Sequence, residues 1–431
     1  MNENISNIAV FHDDEYGIIY APTFGTAKKT ESAHAQILEM YLKKYANNDL
    51  SEKEESLLEQ YFVRQFANVS ELQIDSVPHL LERKTLSRIE ILVANDCNLN
   101  CRYCFAKAGT YGYAPNRMNP QSAAHFLSQI IDGRYTAVER VMFFGGEPLL
   151  CPSTLRSICE FFRERVSEKA LTNMPVFSIV TNGTLIDDNF ASLAKEFNIL
   201  ITISVDGPPD INDINRIDKR GSGTFSNIKS GIDTLRRHGV LPSMIEATYT
   251  KTHQTLEYSR EEIKEFLKNE FEIETVFVAD CESTCQHTDL IPSVPNFNIE
   301  KECNRPYNIW RMRDALNKDS YSDFSCNAGY GSLALMPNGD IFPCHYFVTH
   351  PEYRIASFLN GSLDFEEYSN VLNKLNTVRR STHIKCAKCW GRVACDICPA
   401  YLLFASEEVK DNYCKTEKEL QKKLLLKCAG N

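Results

Sequence analysis

The sequence predicts an α/β protein with a parallel sheet, and three features of the chain point to this class. Between residues 86 and about 280, short apolar runs alternate six times with segments of helical spacing. Strands separated by helices pair in parallel, in a sheet that is open or curled. Polar motifs directly follow several runs, and such folds place their chemistry at the carboxyl ends of the strands. A chain of 431 residues also suggests two or three domains.

The central region supplies the elements of this sheet. The predicted strands are 88–94, 138–144, 176–180, 199–205, 243–249 and 275–279. The segments of helical spacing between them include 153–169, 187–197, 224–238 and 258–268.

The two flanking regions have a different pattern. A strand is predicted at 17–23, and helices at 32–46 and 51–66, the second of which opens with a capping box of Ser51 and Glu54. This order fits either a small winged-helix-like module or a helical extension of the main domain. After residue 300, cysteines and turns replace the alternation, and ELQKKLLLK is predicted to form a terminal helix. The predicted domains are therefore 1–85, 86–300 and 301–431.

Composition limits the function classes. The net charge of −10 argues against a broad basic face for nucleic acid. No apolar run approaches the roughly 18 residues of a membrane span, and the polar start lacks a signal-peptide core. A cytoplasmic protein is expected, with neither a membrane nor a nucleic acid as partner. The cytosol keeps thiols reduced, so the 16 cysteines indicate metal ligation rather than disulfides.

A C-x3-C-x2-C motif, Cys97, Cys101 and Cys104, directly follows the first predicted strand. Three thiolates from one loop can hold three irons of a [4Fe–4S] cube and leave the fourth iron open. A structural zinc site normally needs four protein ligands, so the trio suits zinc poorly.

With Tyr103 and Phe105 around its last cysteine, this motif resembles the signature of the radical S-adenosylmethionine (SAM) superfamily. The resemblance implies a partial (β/α)6 barrel in which SAM chelates the open iron. It also implies that one electron cleaves SAM to methionine and a 5′-deoxyadenosyl radical, which abstracts a substrate hydrogen.

Further motifs follow the next strands in the order that this family shows: FFGGEPLL (143–150), TNGTL (181–185) and SVDGP (204–208). The resemblance implies that Glu147 accepts a hydrogen bond from the SAM ammonium. The other implied SAM-binding residues are Gly145, Gly146, Asn182, Ser204, Asp206 and Arg216. Ordinary turn chemistry is the alternative explanation for TNG and DG.

The C-terminal cysteines resemble the SPASM extension of radical SAM enzymes that modify peptides and proteins. This resemblance implies two auxiliary [4Fe–4S] clusters, one held by Cys326, Cys344 and Cys398, the other by Cys386, Cys389, Cys395 and Cys414. The run Cys386, Cys389, Cys395 and Cys398 has two residues between its third and fourth cysteines, whereas the family usually has three there. Two closed clusters need eight ligands, and the two sets supply seven. Either one iron is therefore open, or Cys281, Cys285 or Cys303 supplies the eighth ligand. Zinc is the alternative at CxxC-x5-CxxC.

His345 follows Cys344 in GDIFPCHYF, at the position where sulfatase maturases usually carry an Asp base. His345 is therefore a candidate catalytic base, or a hydrogen-bonding neighbour without proton transfer. The PCHxF form and the loop CRYCFAKAGTYG resemble enzymes that crosslink ribosomally made, post-translationally modified peptides (RiPPs).

The leading hypothesis is therefore a radical SAM peptide maturase that installs crosslinks, favouring Cys-to-carbon thioethers, in a precursor peptide with a leader. Residues 1–85 would be a RiPP recognition element-like module that binds the leader as an added strand, with 17–23 as the sheet edge. The expected electron donor is a flavodoxin or ferredoxin. The alternatives are carbon–carbon or carbon–oxygen crosslinking, epimerisation, sulfatase-type maturation and a zinc-binding winged-helix regulator.

Overall fold

The computed structural model describes residues 7–75, 80–281, 288–292, 299–359 and 362–429. The chain divides into two compact units. The α/β unit comprises residues 78–296 and 327–372, and the terminal unit comprises residues 1–77, 297–326 and 373–431. The division into domains at residues 85 and 300 stays a prediction.

The strands in chain order are β1 (Ala9–His12), β2 (Gly17–Ala21), β3 (Thr26–Thr30), β4 (Gln73–Ile74), β5 (Thr85–Leu86), β6 (Arg88–Ala94), β7 (Ala137–Val138), β8 (Arg140–Gly145), β9 (Val176–Thr181), β10 (Leu200–Ser204), β11 (Met244–Tyr249), β12 (Val276–Asp280), β13 (Ser320–Tyr321), β14 (Ser332–Leu335), β15 (Ile341–Phe342), β16 (Ser357–Leu359) and β17 (Ser362–Asp364).

The helices are α1 (Ser32–Ala46), α2 (Glu52–Phe66), α3 (Pro120–Ile131), α4 (Pro152–Ser167), α5 (Asp188–Phe197), α6 (Pro209–Asn215), α7 (Phe225–Arg237), α8 (Lys251–Thr255), α9 (Arg260–Phe271), α10 (Ile299–Glu302), α11 (Pro306–Leu316), α12 (Tyr368–Asn376), α13 (Pro399–Phe404) and α14 (Glu407–Ala429). Within the described residues, no helix is both long enough and apolar enough to span a bilayer.

The α/β unit is built on an eight-stranded sheet of order β12-β11-β10-β9-β8-β6-β14-β15. Every neighbouring pair is parallel except β14–β15. The six predicted central strands are all present and are neighbours in chain order, which confirms the α/β class. β14 and β15 were not predicted, because they are short and lie where cysteines and turns dominate the sequence.

Alternation along the strands gives the sheet a buried face and a face towards the candidate site. On β11, Ile245 and Ala247 are fully buried, whereas Glu246 and Thr248 are only half-buried. Such a period of two sends successive side chains to opposite faces. Because the strands are parallel, the segments that follow β6, β8, β9 and β10 meet at one end of the sheet, where the sequence motifs lie.

In the terminal unit, an antiparallel sheet of order β1-β2-β3 packs with α1 and α2 around a shared apolar cluster. The predicted strand and both predicted helices are present. The capping box is present too, with the Ser51 backbone donating to Glu54 at 2.9 Å. The expectation that 17–23 offers a free sheet edge is wrong, because β2 lies between β1 and β3 and all five of its residues are buried.

Candidate active site

The cysteine loop is held against the end of β8 by close backbone contacts. The Gly146 backbone donates to Ala94 at 2.8 Å, and the Glu147 backbone donates to Asp96 at 2.9 Å. A Cβ atom on Gly145 would lie 2.3 Å from the Ala94 oxygen, and one on Gly146 would lie 2.2 Å from the Asp96 oxygen. Gly145 also has a φ of 126°. Only glycine fits at these two positions, so GGE brings β8 onto the cysteine loop.

Cys97, Cys101 and Cys104 line one cavity of about 510 Å³ at this end of the sheet. Burial raises the pKa of Cys97 to about 12 and that of Cys101 to about 11. Buried thiols of this kind ionise when metal displaces their protons. Within the described ranges, no three His, Cys, Asp or Glu side chains are grouped for a metal ion. Each cysteine of a cube binds a different iron, so the three sulfurs of a cube need not converge on one point.

Glu147 ties the end of β8 to the end of β9. One carboxylate oxygen accepts from the Leu149 backbone at 2.9 Å and from the Thr181 hydroxyl at 2.7 Å. The other accepts from the Asn182 backbone at 2.8 Å. Glu147 is fully buried and lies behind the cavity wall, and burial raises its pKa despite these donors. Glu147 therefore fixes the strand ends, and its contact with SAM stays a prediction.

Asn182 lies beside the first cysteine. Its side-chain nitrogen is 3.8 Å from the Cys97 sulfur and donates to Asn98 at 2.9 Å. Asn182 lines the cavity together with Ser204. The structure thus places both residues in the cavity that the three thiols line, and their contact with SAM stays a prediction.

A buried chain of three side chains connects the cysteine loop to the end of β10. The Tyr103 hydroxyl donates to Asp206 at 2.9 Å, and the Arg216 guanidinium donates to that hydroxyl at 2.6 Å. Burial raises the pKa of Asp206. Within the described part of the chain, Nε of Arg216 and Oδ2 of Asp206 have no hydrogen-bond partner. Arg216 lines the cavity and can bind a carboxylate such as that of SAM, whereas Asp206 lies behind it and orients Tyr103.

His345 lies in the same cavity, beside a buried carboxylate on β6. Its Nδ1 is 2.9 Å from Glu90, which also accepts from the His345 backbone at 2.8 Å and pairs with Arg88 at 2.9 Å. Burial acts to raise the pKa of Glu90, but His345 and Arg88 hold it below its usual value. A carboxylate at Nδ1 favours the proton there and leaves Nε2 as the acceptor of the neutral ring.

Glu90 and Glu246 were not predicted from the sequence as residues of this region. The available signal was a carboxylate inside an otherwise apolar strand, RIEILVA for Glu90 and SMIEATY for Glu246. Burying a carboxylate is costly unless it has a partner, so a glutamate within an apolar strand is an unusual residue and a candidate for a role in the site. Phe144 and Tyr346 complete the aromatic part of the wall and lie beside the His345 ring.

The terminal unit contains the second predicted auxiliary set. Cys386, Cys395 and Cys414 pack around one apolar cluster. Burial, followed by the nearby Cys389 and Cys414, raises the pKa of Cys386 to about 11. Partly buried thiols that pack on one cluster fit a metal cluster, although the ligand set stays a prediction.

The other predicted auxiliary cysteines belong to different units. Cys344 is in the α/β unit, whereas Cys326 and Cys398 are in the terminal unit, and their predicted shared cluster stays a prediction. Of the spare cysteines, Cys281 lines the cavity, Cys303 packs in the core of the terminal unit, and Cys285 lies outside the described residues.

Known proteins are similar to this chain in sequence. Residues 91–269 match the model of the radical SAM superfamily. The radical SAM cyclopropyl synthase TigE of Paramaledivibacter caminithermalis is 23% identical over 60% of this chain and 57% of its own length. The chain thus spans little more than half of TigE. The cysteine-type anaerobic sulfatase-maturating enzyme of Clostridium novyi is 27% identical over 71% of this chain and 85% of its own length.

Solved structures share the fold. Polyhistidine-tagged anSMEcpe with bound AdoMet has a TM-score of 0.57 and 20% identity, and the match covers 80% of this chain and 94% of that chain. Native anSMEcpe with bound AdoMet and the Cp18Cys peptide has the same TM-score and covers 98% of that chain.

These matches confirm the resemblance on which the site assignment was based, and they give no support to a zinc-binding regulator. The cysteine loop, GGE, TNG and SVDG all lie within the matched residues. Residues 91–269 of this chain therefore form a radical SAM domain.

Proposed function

We propose that this chain is a radical SAM maturase that crosslinks a ribosomally made precursor peptide, with a Cys-to-carbon thioether as the product. One observation carries the proposal: three thiols of one loop share a cavity with Arg216 and His345 at the ends of parallel strands. The cavity therefore offers a cluster site, a cation for the carboxylate of SAM and a proton acceptor.

Each part of the cavity has a proposed task. Cys97, Cys101 and Cys104 would hold the cluster, while the backbone of Gly145 and Gly146, together with Asn182, Ser204 and Arg216, would hold SAM. When bound, the cluster and SAM supply a carbon radical able to remove a hydrogen atom from an unactivated carbon. The aromatic wall keeps water away from such a species.

A peptide substrate is supported by the relatives. Sulfatase-maturating enzymes are named for acting on a protein, and anSMEcpe has been solved with a bound peptide. Residues 1–85 would recognise the leader; since β2 is central, β1 or β3 would have to supply the sheet edge. A flavodoxin or ferredoxin would supply electrons.

The thioether step must balance. One C–H bond and one S–H bond would break, and one C–S bond would form. The hydrogen atom of the C–H bond would leave on 5′-deoxyadenosine, and the thiol proton would pass to a base. His345 is the candidate for that base. One electron remains, which the predicted auxiliary clusters at Cys386, Cys389, Cys395 and Cys414 and at Cys326, Cys344 and Cys398 would accept.

The test combines metal analysis with product analysis. Anaerobically reconstituted protein should hold about twelve irons, four for each of three clusters, and form 5′-deoxyadenosine when reduced with SAM. Co-expression with a small cysteine-containing peptide encoded beside this gene should give a product that lacks two hydrogen atoms and one free thiol. Cys97→Ala should abolish both reactions, and Cys159→Ala, in α4, should not.

Other outcomes would identify the alternatives. A product that keeps its thiol but lacks two hydrogens indicates carbon–carbon or carbon–oxygen crosslinking. Unchanged mass with an inverted centre indicates epimerisation, and a formylglycine in a sulfatase indicates sulfatase-type maturation. Protein that binds zinc without sulfide would contradict the proposal.

A further inference from the structure

The terminal unit contains a buried cation, Arg380, which is only 8% exposed. Within the described part of the chain, Arg380 forms no ion pair, and its Nε has no hydrogen-bond partner. The Arg380 backbone donates to the Asp323 carbonyl at 3.0 Å, but the Asp323 carboxylate accepts from the Ser381 backbone at 2.8 Å and from the Ser381 hydroxyl at 2.5 Å. A buried charge without a counter-charge is costly, so Arg380 needs a negative group other than a carboxylate.

The contacts of Arg380 place its guanidinium beside four cysteines of the same unit, which we call the second auxiliary set: Cys386, Cys389, Cys395 and Cys414. Nη1 of Arg380 donates to the carbonyl oxygen of Arg392 at 3.0 Å and to that of Val393 at 2.9 Å. Both carbonyls belong to the segment that joins Cys389 to Cys395. The guanidinium is therefore fixed to the backbone between two of the thiols.

The electrostatics of the thiols agree with this position. Burial lowers the pKa of Arg380, and Cys395 is the strongest of the groups that act to raise it. Burial raises the pKa of Cys386 and of Cys395, and Arg380 acts in the opposite direction at both thiols. A guanidinium keeps its charge in proteins, so Arg380 favours the thiolate form of these cysteines.

The other cations near the second auxiliary set are already compensated or screened. Arg311 is buried, but it pairs with two carboxylates. Lys385 is exposed and also pairs with two carboxylates. Lys418 is only half-buried, so water screens its charge. Arg380 is thus the buried cation in this region whose charge is left for the thiols.

We propose that the Arg380 guanidinium is the charge partner of the cluster at the second auxiliary set and makes that cluster a better electron acceptor. A cube with four thiolate ligands is an anion, and its negative charge grows when it takes up an electron. A fixed cation beside it therefore stabilises the reduced form more than the oxidised form, and burial limits the screening of this attraction. This inference rests on the proposed function, in which the auxiliary clusters accept the one electron that remains after the C–S bond forms.

The test measures a reduction potential rather than turnover. Full-length protein with Cys97 and Cys326 replaced by Ala is reconstituted anaerobically, so that only the second auxiliary set keeps all its ligands. The midpoint potential of its cluster is then measured by a redox titration followed by electron paramagnetic resonance. At matched iron content, Arg380→Gln should make electron uptake at least about tenfold less favourable, which lowers the midpoint potential by about 59 mV or more. Arg380→Lys keeps the charge but not the planar fork of donors, and should stay close to the potential of the unsubstituted background.

Arg379→Gln is the matched control, because it removes the same charge from the adjacent residue, whose guanidinium lies over the Phe324 ring at 5.2 Å. This variant should leave the potential unchanged. The inference is overturned if Arg380→Gln keeps both its iron and the potential of the background, or if Arg379→Gln shifts the potential as far.

Arg380→Lys separates the charge from a merely structural role. Should Arg380→Gln fail to retain iron, a cluster that Arg380→Lys retains at the background potential supports the role of the charge. Loss of iron from Arg380→Lys as well would make Arg380 a support of the loop alone and overturn the inference. If the background protein holds no cluster at all, the electron acceptor of the proposed function fails too, which separates the two failures.

Discussion

Gly146→Ala tests how closely the end of β8 must approach the cysteine loop. Its Cβ would lie 2.2 Å from the Asp96 carbonyl oxygen, 2.6 Å from the Asp96 carbonyl carbon and 3.0 Å from the Gly109 Cα. Every one of these atoms is backbone, so no side-chain rotation relieves the clash. Reaching the 3.0 Å that real Cβ contacts keep requires a shift of 3.0 − 2.2, or 0.8 Å, between β8 and the loop.

A displacement near 1 Å at reacting groups can cost about 100-fold in rate. We therefore expect Gly146→Ala to lower the rate of 5′-deoxyadenosine formation between about tenfold and 100-fold, with lower iron retention after reconstitution. The assay is chromatographic quantification of 5′-deoxyadenosine in reduced protein, together with iron and sulfide analysis.

Gly133→Ala is the control, because a Cβ there meets nothing within 4 Å although φ is +72°. It should cost only about 1 kcal/mol of stability from its backbone conformation and leave SAM cleavage unchanged. If Gly146→Ala retains full iron and the wild-type rate, then GGE does not position the cluster loop and the reasoning is refuted.

Four further predictions follow from named contacts. Cys101→Ala should remove about four of the twelve irons and all 5′-deoxyadenosine formation, whereas Cys159→Ala should change neither; equal iron contents would contradict the cluster assignment. Tyr103→Phe loses two buried hydrogen bonds and should weaken SAM binding and lower the free energy of unfolding by about 1–3 kcal/mol, measured by dialysis and urea titration. His345→Gln should lower peptide crosslinking by about 10²–10⁴-fold while SAM cleavage persists; an unchanged product yield would show that it is not the base. Burial raises the pKa of Glu417 to about 7, so the folded state binds its proton more tightly and stability falls as pH rises from the ordinary value of 4.5 towards 7. Relative to Glu417→Gln, the wild type should therefore lose about 1 kcal/mol between pH 6 and 8 in urea titrations, and parallel curves would contradict this.

Much of the α/β unit could be predicted because local signals agree with the tertiary structure. The strand at 88–94 has the predicted bounds, and the other five central strands differ by one or two residues at their ends. Strongly apolar runs between well-capped helices leave few alternatives. By contrast, β3 (TAKKT) has two lysines and no apolar alternation, so no local signal indicated that β2 has neighbours on both sides.

The residues of the site also include some that the sequence could predict and some that it could not. The first three cysteines, the two glycines, Asn182 and Ser204 could be placed at one end of the sheet because each lies at or just after the end of a strand. Arg216 could be added because its segment follows the SVDGP motif. Glu90 and Glu246 could not be placed there from the sequence. Their positions in the site are defined by contact with His345 and by pairing with Ser204, which come from distant parts of the sequence. Likewise, the burial of Glu147 behind the wall depends on donors from β9.

Every proposal for this protein depends on one prediction, that three thiolates hold a cluster and leave its fourth iron available to SAM. The most direct measurement is the electron paramagnetic resonance spectrum of a variant with Cys386 and Cys326 replaced by Ala, recorded after reduction, with and without SAM. We predict a reduced [4Fe–4S] signal that changes shape when SAM is added and is lost in Cys104→Ala. A signal that is indifferent to SAM in protein with a full first cluster would contradict this assignment.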